Sequence, residues 1–431
     1  MHRVIVPLLM LLVAWVSPAH AQLTIEVTGG VEGAQPIAVV PFGAAEGTIP
    51  PLDVGSVIAA DLARSGRFKP MPTRDMLATP HTAPEVDLRD WRLLGMQHLA
   101  VGNVSPVGGG FNIDYVLFDV FSGDQLLGAS AKTTGTGMRY TAHRIADAIY
   151  EKLTGQPGVF STRIAYVTDQ GLGGKVTLRV SDADGYGAQT IVSSNEPIMS
   201  PAWSPDGQHL AYVSFENRRA AIYVQDLGSG RRDLVASHPG INGSPAFSPD
   251  GRLLAMTLSK GGNPEIYVMD LASKALTQLT RHYGIDTEAV WMPDGQTLLF
   301  TSDRAGKPQV YSVAASGGEP SRVSFQGESN ARATVSYDGK KVAMAQGSGN
   351  IYRISVLDRS FGGTGRWQTL SPGNLDESPS FAPNGGMLLY ATKEGRRGVL
   401  YAVSADGRVR LRLVTADSDV REPAWSPFRQ R

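Results

Sequence analysis

Short apolar runs alternate with tight polar turns along the last two thirds of the chain. The turns read Pro-Asp-Gly, Tyr-Asp-Gly or Pro-Asn-Gly, and their glycines are 44, 44, 44 and 46 residues apart. These glycines are Gly207, Gly251, Gly295, Gly339 and Gly385. Each turn leads into a β-rich run such as His209–Ser214, and further β-rich runs follow before the next turn. Since Asp-Gly and Asn-Gly accept the positive φ of a tight hairpin, we expect four short strands per repeat.

Four strands in a repeat of roughly 40–50 residues are typical of a β-propeller blade. The run R-I-A-Y-V-T at 163–168 matches H-L-A-Y-V-S at 209–214 but lacks the preceding turn, which makes six blades in all. The missing inner strand lies at the other end of the chain, in E-P-A-W-S-P at 422–427. We therefore predict that the C-terminal strand completes the first blade and removes two open sheet edges.

A different pattern precedes the repeats. Pro36–Phe42 has the composition of a buried strand, and Val54–Arg64 has helical periodicity. Three strands follow at His98–Val104, Gly110–Val120 and Gln125–Thr133, and then a helix over Met138–Leu153 that Gly155 ends. The predicted fold is an α/β N-terminal domain (36–158) followed by an all-β six-bladed β-propeller (159–431) closed by its C-terminal strand.

The first residues have the features of an export signal. Val4–Val16 is apolar but too short for a membrane span, which needs about 20 residues. Ala-His-Ala at 19–21 fits signal-peptidase cleavage between Ala21 and Gln22. We expect a signal peptide over 1–21, with a retained anchor as the alternative, and an extended segment over 22–35.

Composition and charge exclude several function classes. The chain has 40 basic and 40 acidic side chains, so nothing favours binding to nucleic acid or insertion into an anionic membrane. It has no cysteine, which rules out disulfides, thiolate metal sites and cysteine nucleophiles. An exported chain of this size without disulfides fits the bacterial periplasm.

Catalytic and cofactor motifs are absent from the sequence. Six histidines follow the predicted cleavage site, and none are paired at metal-ligand spacing. The nucleophile elbow G-x-S-x-G of propeller-bearing serine peptidases is also missing. We interpret the repeated aromatic residues as wedges between blades and the turn aspartates Asp206, Asp250, Asp294 and Asp338 as turn formers. We therefore expect neither a cofactor nor an enzyme activity.

Function should lie where the repeats differ, in the loops that lead into each innermost strand. We call these the inner-strand loops, and we expect them to share one face with the loops between second and third strands, the outer loops. The inner-strand loops carry mostly acidic and polar residues: Glu196, Asn242, Ser244, Asp286, Thr287, Glu288, Asn330, Arg332, Asp376, Glu377 and Glu422. The outer loops carry basic residues: Arg218, Arg219, Lys260, Arg304, Lys307, Arg396 and Arg397. An acidic mouth with a basic rim suits the docking of a protein of mixed charge.

Several ordered motifs resemble the TolB family of the bacterial Tol-Pal system. They are P-I-A-V-V-P-F at 36–42, Y-E-K-L-T-G at 150–155, N-G-S-P-A-F-S-P-D-G at 242–251, T-S-D-R-A-G-K-P-Q-V-Y at 301–311 and P-A-W-S-P at 423–427. The resemblance implies a non-enzymatic periplasmic adaptor that binds two partners, the lipoprotein Pal and the protein TolA, and possible contacts with other envelope proteins. It also implies a role in outer-membrane integrity and in envelope constriction during cell division.

The resemblance assigns Pal binding to the inner-strand loops, and in particular to Ile241, Asn242, Ser244 and to Asp286, Thr287, Glu288. It assigns TolA binding to Gln22, Leu23, Thr24, Ile25, Glu26, Val27, Thr28, Gly29, Gly30, Val31, Glu32 and Gly33. Leu23, Ile25 and Val27 alternate with polar residues, so an extended segment that adds a strand to a partner's sheet is a reasonable mechanism. The alternative is an ordinary first strand of the α/β domain.

Two other functions stay open on the sequence alone. A hydrolase or lyase acting on cell-wall fragments would use clustered carboxylates such as Asp286, Glu288 and Asp376. A propeller that binds a small ligand or a metal ion is the third hypothesis.

Overall fold

The computed structural model describes residues 24–27, 33–414 and 418–429. The predicted signal peptide and cleavage site lie outside these residues, as do residues 22–23 and 28–32 of the predicted partner-binding segment. Within the described part of the chain, no helix is both long enough and apolar enough to cross a membrane.

The N-terminal part contains one strand that pairs with a propeller strand, followed by an α/β domain. In chain order the elements are β1 (Thr24–Val27), β2 (Gln35–Val39), β3 (Gly43–Ala44), α1 (Val54–Arg64), β4 (Phe68–Pro70), α2 (Leu88–Leu93), β5 (His98–Val107), β6 (Gly110–Asp119), β7 (Gln125–Thr133) and α3 (Met138–Thr154). The sheet order is β4-β2-β5-β6-β7, and β3 also pairs with β5. Strand β2 runs parallel to its neighbours β4 and β5, whereas β5, β6 and β7 form an antiparallel meander.

Each face of this sheet is covered by a separate apolar cluster. Helices α1 and α3 pack on one face through residues such as Ile58 and Ile145. Trp91 of α2 packs on the other face against Leu99 and Phe118. The two longer helices are confirmed, with the predicted ends for α1 and an end one residue later than predicted for α3. Helix α2 was not predicted, because six residues are too few for a clear periodicity.

The remaining strands form six four-stranded blades. Blades 1 to 3 contain β8 (Arg163–Asp169), β9 (Val176–Asp182), β10 (Gln189–Ser194), β11 (Ile198–Trp203), β12 (His209–Ser214), β13 (Ala221–Asp226), β14 (Arg232–Ala236), β15 (Asn242–Phe247), β16 (Leu253–Leu258), β17 (Glu265–Asp270) and β18 (Leu276–Gln278). Blades 4 to 6 contain β19 (Asp286–Trp291), β20 (Thr297–Ser302), β21 (Gln309–Ala314), β22 (Ser321–Arg322), β23 (Ser329–Val335), β24 (Lys341–Ser348), β25 (Ile351–Asp358), β26 (Arg366–Thr369), β27 (Glu377–Phe381), β28 (Met387–Glu394), β29 (Arg397–Ser404) and β30 (Arg410–Val414). The final strand, β31 (Asp419–Trp425), belongs to blade 1.

The predicted closure of the ring is confirmed. Strand β31 pairs antiparallel with β8, from Asp419 opposite Asp169 to Trp425 opposite Ile164. The order of blade 1 is therefore β10-β9-β8-β31, with its inner strand supplied by the end of the chain. Val420 of this strand is fully buried.

Repeated tryptophans link neighbouring blades, as the sequence predicts. The indole N–H of Trp203 donates to the carbonyl of Ala424 in blade 1 at 3.0 Å. The indole of Trp291 donates in the same way to Ala246 of blade 3 at 3.1 Å. The turn aspartates are confirmed as turn formers, because Asp250, for example, accepts from Ser248 Oγ at 2.6 Å and from the Arg252 amide at 3.1 Å.

The α/β domain packs on the side of the propeller where these turns lie. Asn384, in the turn of blade 6, donates to the carbonyl of Pro157 at 2.8 Å. A cleft of about 770 Å³ between the two domains is lined by residues such as Arg64 and Tyr150 on one side and Asp338 on the other. The inner-strand loops at the opposite side of the ring remain uncovered by the α/β domain.

Deleting Glu422–Arg431 should strongly destabilise the propeller, because the deletion removes the second half of β31 and leaves the first residues of β8 without a partner strand, which weakens the closure of the ring. We expect the melting temperature to fall by at least about 10 °C. In a chain of this size each degree corresponds to a fraction of a kcal/mol, so a loss of a few kcal/mol in the free energy of unfolding gives a shift of this size. Differential scanning calorimetry measures this.

A chain that begins at Thr28 is the matched control, since it also removes a terminal strand but opens no ring. It should melt close to the intact chain. A C-terminal deletion that melts at the temperature of the intact chain would refute closure by β31.

Candidate partner-binding surface

Six residues around the axis of the propeller share an unusual backbone conformation. Each lies in an innermost strand, at the bulge that interrupts the ladder to the second strand. All have φ between 47° and 57°, a region that residues other than glycine rarely adopt. They are Ser200, Ser244, Glu288, Arg332, Ser378 and Glu422. We call this set the axial ring. Left-handed non-glycine residues cost conformational energy and concentrate at functional sites.

Arg332 links the blades around the axial ring. Its guanidinium donates to Glu288 at 3.1 Å and to Glu422 at 3.3 Å, and it also contacts Ser378 Oγ. Its backbone amide donates to the second oxygen of Glu288 at 2.9 Å. Glu422 in turn accepts from the amide of Ser200 at 3.2 Å. One side chain therefore connects blades 4, 5, 6 and 1, and Glu422 extends the connection to blade 2.

The charge of the ring is acidic overall. Burial alone would lower the pKa of Arg332, but Glu422, Glu288 and Glu377 outweigh burial and raise that pKa above its usual range. The arginine is thus permanently charged, and it faces three carboxylates. Because one guanidinium faces three carboxylates, this group of four side chains keeps two uncompensated negative charges.

Four of the predicted site residues are buried beneath the loops. Asn242, Asp286, Asn330 and Asp376 lie two residues before the axial ring in blades 3 to 6, and all are fully buried. Asn242 donates to the carbonyl of His238 at 2.7 Å and accepts from its amide at 2.9 Å. Asp286 accepts from Arg304 at 2.7 Å, and Asn330 donates to the carbonyl of Gln326 at 2.7 Å. Each of these side chains shapes a loop.

The other predicted residues are closer to solvent. Ile241 and Glu377 are exposed, whereas Glu196, Ser244, Thr287, Glu288, Arg332 and Glu422 are half-buried. The hydroxyl of Thr287 lies 3.2 Å from that of Thr257 in the neighbouring blade.

The inner-strand and outer loops share one face, as predicted. Asn263 in the outer loop of blade 3 donates to the carbonyl of His282 in the next inner-strand loop at 2.8 Å. Lys307 pairs with Glu328 in the same way at 2.5 Å. The rim is less basic than the sequence indicates, because Lys307 and Arg304 are paired with carboxylates.

An arc of five exposed apolar side chains lies on this face, and of these five the sequence predicted Ile241 alone as a site residue. Ile241, Tyr283, Ile285, Phe325 and Leu375 lie in the inner-strand loops of blades 3 to 6, with Tyr283 85% and Phe325 57% exposed. We call them the apolar arc. The sequence signal that could have revealed the apolar arc is the presence of large apolar residues in otherwise polar loops just before an inner strand. Ser200 and Ser378 were also missed, although both share the repeat position of Glu288 and Arg332. Grouped exposed apolar residues beside polar ones typify a protein-binding surface.

The predicted partner-binding segment is partly within the described residues. Strand β1 pairs antiparallel with β30, with Ile25 opposite Leu413 and Glu26 opposite Arg412. It is the fifth strand of blade 6 and does not join the sheet of the α/β domain. The alternative of an ordinary first strand of that domain is therefore wrong for Thr24–Val27.

The geometry gives no support to carboxylate catalysis in the mouth. Asp286 and Asp376 are fully buried, and Glu288 is engaged by Arg332 and by the hydroxyl of Thr301 at 3.0 Å. Among the described residues, one set of side chains has the residue types and proximity of a metal site, namely Asp61, His143 and Asp184. It lies at the domain junction, away from the mouth.

Comparison with known proteins agrees with this architecture. A family model described as the TolB beta propeller domain matches residues 150–429, and one described as the TolB amino-terminal domain matches residues 23–126. The Tol-Pal system protein TolB of Xanthomonas campestris pv. campestris (strain B100) is 64% identical over 411 residues, covering 94% of this chain and 93% of the relative. The Tol-Pal system protein TolB of Xanthomonas euvesicatoria pv. vesicatoria (strain 85-10) is 62% identical over the same shares.

Solved structures give the same result. The crystal structure of TolB from Acinetobacter baumannii has a TM-score of 0.87 at 42% identity and covers 94% of this chain and 100% of that chain. A chain of the nidogen/laminin complex, at 12% identity and a TM-score of 0.52, covers 63% of this chain and 100% of its own length and shares the fold alone. The names of the curated relatives describe a component of the Tol-Pal system and no enzyme class, in agreement with the expectation of a non-enzymatic protein. The fold, the two family models and the identity over nearly the whole chain show that the protein belongs to the TolB family.

Proposed function

We propose that the protein is a periplasmic adaptor of the Tol-Pal system that binds the lipoprotein Pal through the propeller mouth and TolA through its N-terminal segment. In this role it supports outer-membrane integrity and envelope constriction during cell division. The observation that carries the proposal is the apolar arc beside the acidic axial ring, on the propeller face that the α/β domain leaves free.

The two features of the mouth have different roles in binding. The apolar arc supplies area that is removed from water when a partner docks, and its aromatic members are of the type that dominates interface energies. The axial ring supplies charge, which selects a partner with a basic group at the matching position. Arg332 holds Glu288 and Glu422 in place before binding, so little ordering is needed when the partner arrives.

The buried polar residues contribute to binding through the loops. Asn242 fixes the backbone of the loop that presents Ile241, and Asp286 with Arg304 fixes the loop that presents Tyr283 and Ile285. Asp376 accepts from Ser371 at 2.5 Å in the loop that presents Leu375. Substituting any of them would weaken Pal binding by disordering a loop rather than by removing a contact.

The N-terminal segment is the second partner site. The ladder between β1 and β30 pairs four residues, so few backbone hydrogen bonds hold the segment to the edge of blade 6. A partner that takes the segment by strand addition must first displace it from β30. If Pal binding changes the docked population, TolA binding must change the affinity for Pal by the same factor.

Tyr283→Ala should weaken the binding of the soluble Pal domain by at least about tenfold, because a highly exposed aromatic side chain on the docking face would become buried in the complex. Isothermal titration calorimetry measures the affinity. Leu93→Ala, on α2, is the matched control with 83% exposure, and it should leave the affinity unchanged. Equal affinities for both variants would contradict a docking site at the mouth.

A disulfide between positions 26 and 412 tests the N-terminal site. These residues are directly paired in the β1–β30 ladder and the chain has no other cysteine, so Glu26→Cys with Arg412→Cys gives a single reversible link. The oxidised protein should lose TolA binding in a pull-down, and reductant should restore it, while Pal binding persists in both states.

Each single cysteine variant is the control and should bind TolA with or without reductant. If the oxidised double variant binds TolA as well as the reduced one, the segment need not leave β30 and the proposed strand capture fails.

A further inference from the structure

The junction between the two domains is organised around one propeller carboxylate. Asp184, in the turn between β9 and β10, inserts toward α1 and α3 and is almost fully buried. Its carboxylate pairs with Arg139 of α3 and lies 3.7 Å from Arg64 of α1. The same oxygen lies 3.9 Å from Nε2 of His143.

His143 is almost completely buried at this junction, with 1% of its side chain exposed. Its Nδ1 lies 2.6 Å from a carboxylate oxygen of Asp61, which is itself fully buried and paired with Arg64. Nε2 has no hydrogen-bond partner among the described residues and faces Asp184. The imidazole therefore lies between two carboxylates, one from each domain.

The surroundings favour the protonated ring. Burial alone would lower the pKa of His143, but the hydrogen bond and charge of Asp61, followed by the charges of Asp184 and Asp182, outweigh burial and raise that pKa above its ordinary value. Burial would likewise raise the pKa of Asp184, but Arg64, His143 and Arg139 outweigh it and lower that pKa. Asp184 thus stays ionised while His143 titrates.

A second titratable group on the same helix holds the connection between the domains. Asp147, one turn after His143, accepts from the amides of Phe160 at 2.7 Å and Ser161 at 3.2 Å. Burial raises the pKa of this carboxyl to about 6. Gly158 packs so closely that a Cβ there would lie 2.4 Å from Asp147 Oδ1, which explains the glycine at this point of the hinge.

A metal ion does not fit this cluster, although Asp61, His143 and Asp184 have suitable side chains. The Asp184 oxygen nearest the imidazole is already contacted by Arg139, and Arg64 occupies Asp61. The guanidinium groups of Arg64 and Arg139 would repel a cation at this place. A proton on Nε2 of His143 instead puts a positive charge between the carboxylates of Asp61 and Asp184.

We propose that His143 is a proton-operated latch that fastens the α/β domain to the propeller by bridging Asp61 and Asp184 and that loosens when it loses its proton. This inference is independent of the proposed partners. The charged groups that face the latch are Asp61 and Arg64 from α1, Arg139 and Asp147 from α3, Asp182 and Asp184 from blade 1, and Arg429 from the C-terminal residues, 3.7 Å from Asp182.

The direction of the pH dependence follows from these groups. A residue whose folded-state pKa is raised stabilises the fold below its unfolded pKa and loses that effect as the pH rises through the folded value. Asp147 loses its contribution between its ordinary pKa of 3.8 and about 6. His143 loses its contribution above its ordinary pKa of 6.5. The junction is therefore firmest in mild acid and loosens toward alkaline pH.

Nuclear magnetic resonance of the chain from Gln22 onward, labelled with ¹³C-histidine, tests the latch directly. We expect the His143 ring to titrate with a midpoint above 6.5, and His143→Gln identifies its signal. Asp184→Asn should lower this midpoint by roughly half a pH unit or more, because it removes a nearby opposite charge. It also identifies the signal if His143→Gln does not fold. Asp169→Asn, at the opposite end of the same blade, is the control and should leave the midpoint unchanged.

Thermal unfolding supplies the functional readout. The fall in melting temperature between pH 6.5 and pH 8 should shrink by roughly half or more in His143→Gln, and His238→Gln in the mouth should behave like the unmodified chain. A His143 midpoint at or below 6.5, or one that Asp184→Asn leaves unmoved, would overturn the latch. Stoichiometric Zn²⁺ retained by the protein and lost in His143→Gln would overturn it in favour of a metal site.

Discussion

The antiparallel pairing of β31 with β8 is the interaction on which the rest of the structure depends. It joins the end of the chain to the first strand of the propeller and converts six separate sheets into a ring. Closure also brings Glu422 into the axial ring and gives Trp203 its acceptor, the carbonyl of Ala424. Without this pairing, the blades on either side of the join would lose both the bonds that fix their orientation and the partner that buries their apolar face.

The candidate site follows from repetition combined with variation. Every blade places a bulge at the same position of its inner strand, so the left-handed residues form a ring whatever their side chains are. The side chains then differ from blade to blade, which places Arg332 against the two ring glutamates, Glu288 and Glu422, and gathers apolar residues in the loops of blades 3 to 6. The repeated backbone makes the surface rigid, and the loops make it specific.

The sequence predicts the repeated features well because each is local and recurs at a fixed spacing. The turn residues, the wedging tryptophans and the completion of blade 1 by β31 all follow from the 44-residue period. The role of Asn242 and Asp286 did not follow, because the bulge two residues later interrupts the alternation from which burial would be inferred. The alternation in residues 24–27 predicts a strand but cannot say which edge it joins, and the structure places it on β30. The junction was also beyond the sequence, since Asp61 and His143 are 82 residues apart and neither lies in a motif.

Hydrogen–deuterium exchange of the full chain with and without the soluble Pal domain tests the central claim, that the mouth is the surface on which the partner docks. The account predicts protection concentrated in the inner-strand loops over residues 237–241, 279–285, 323–328 and 370–376, with the turns at 204–207, 292–295 and 382–385 on the opposite side unchanged. Protection confined to those turns or to α2, with the inner-strand loops exchanging as before, would contradict it.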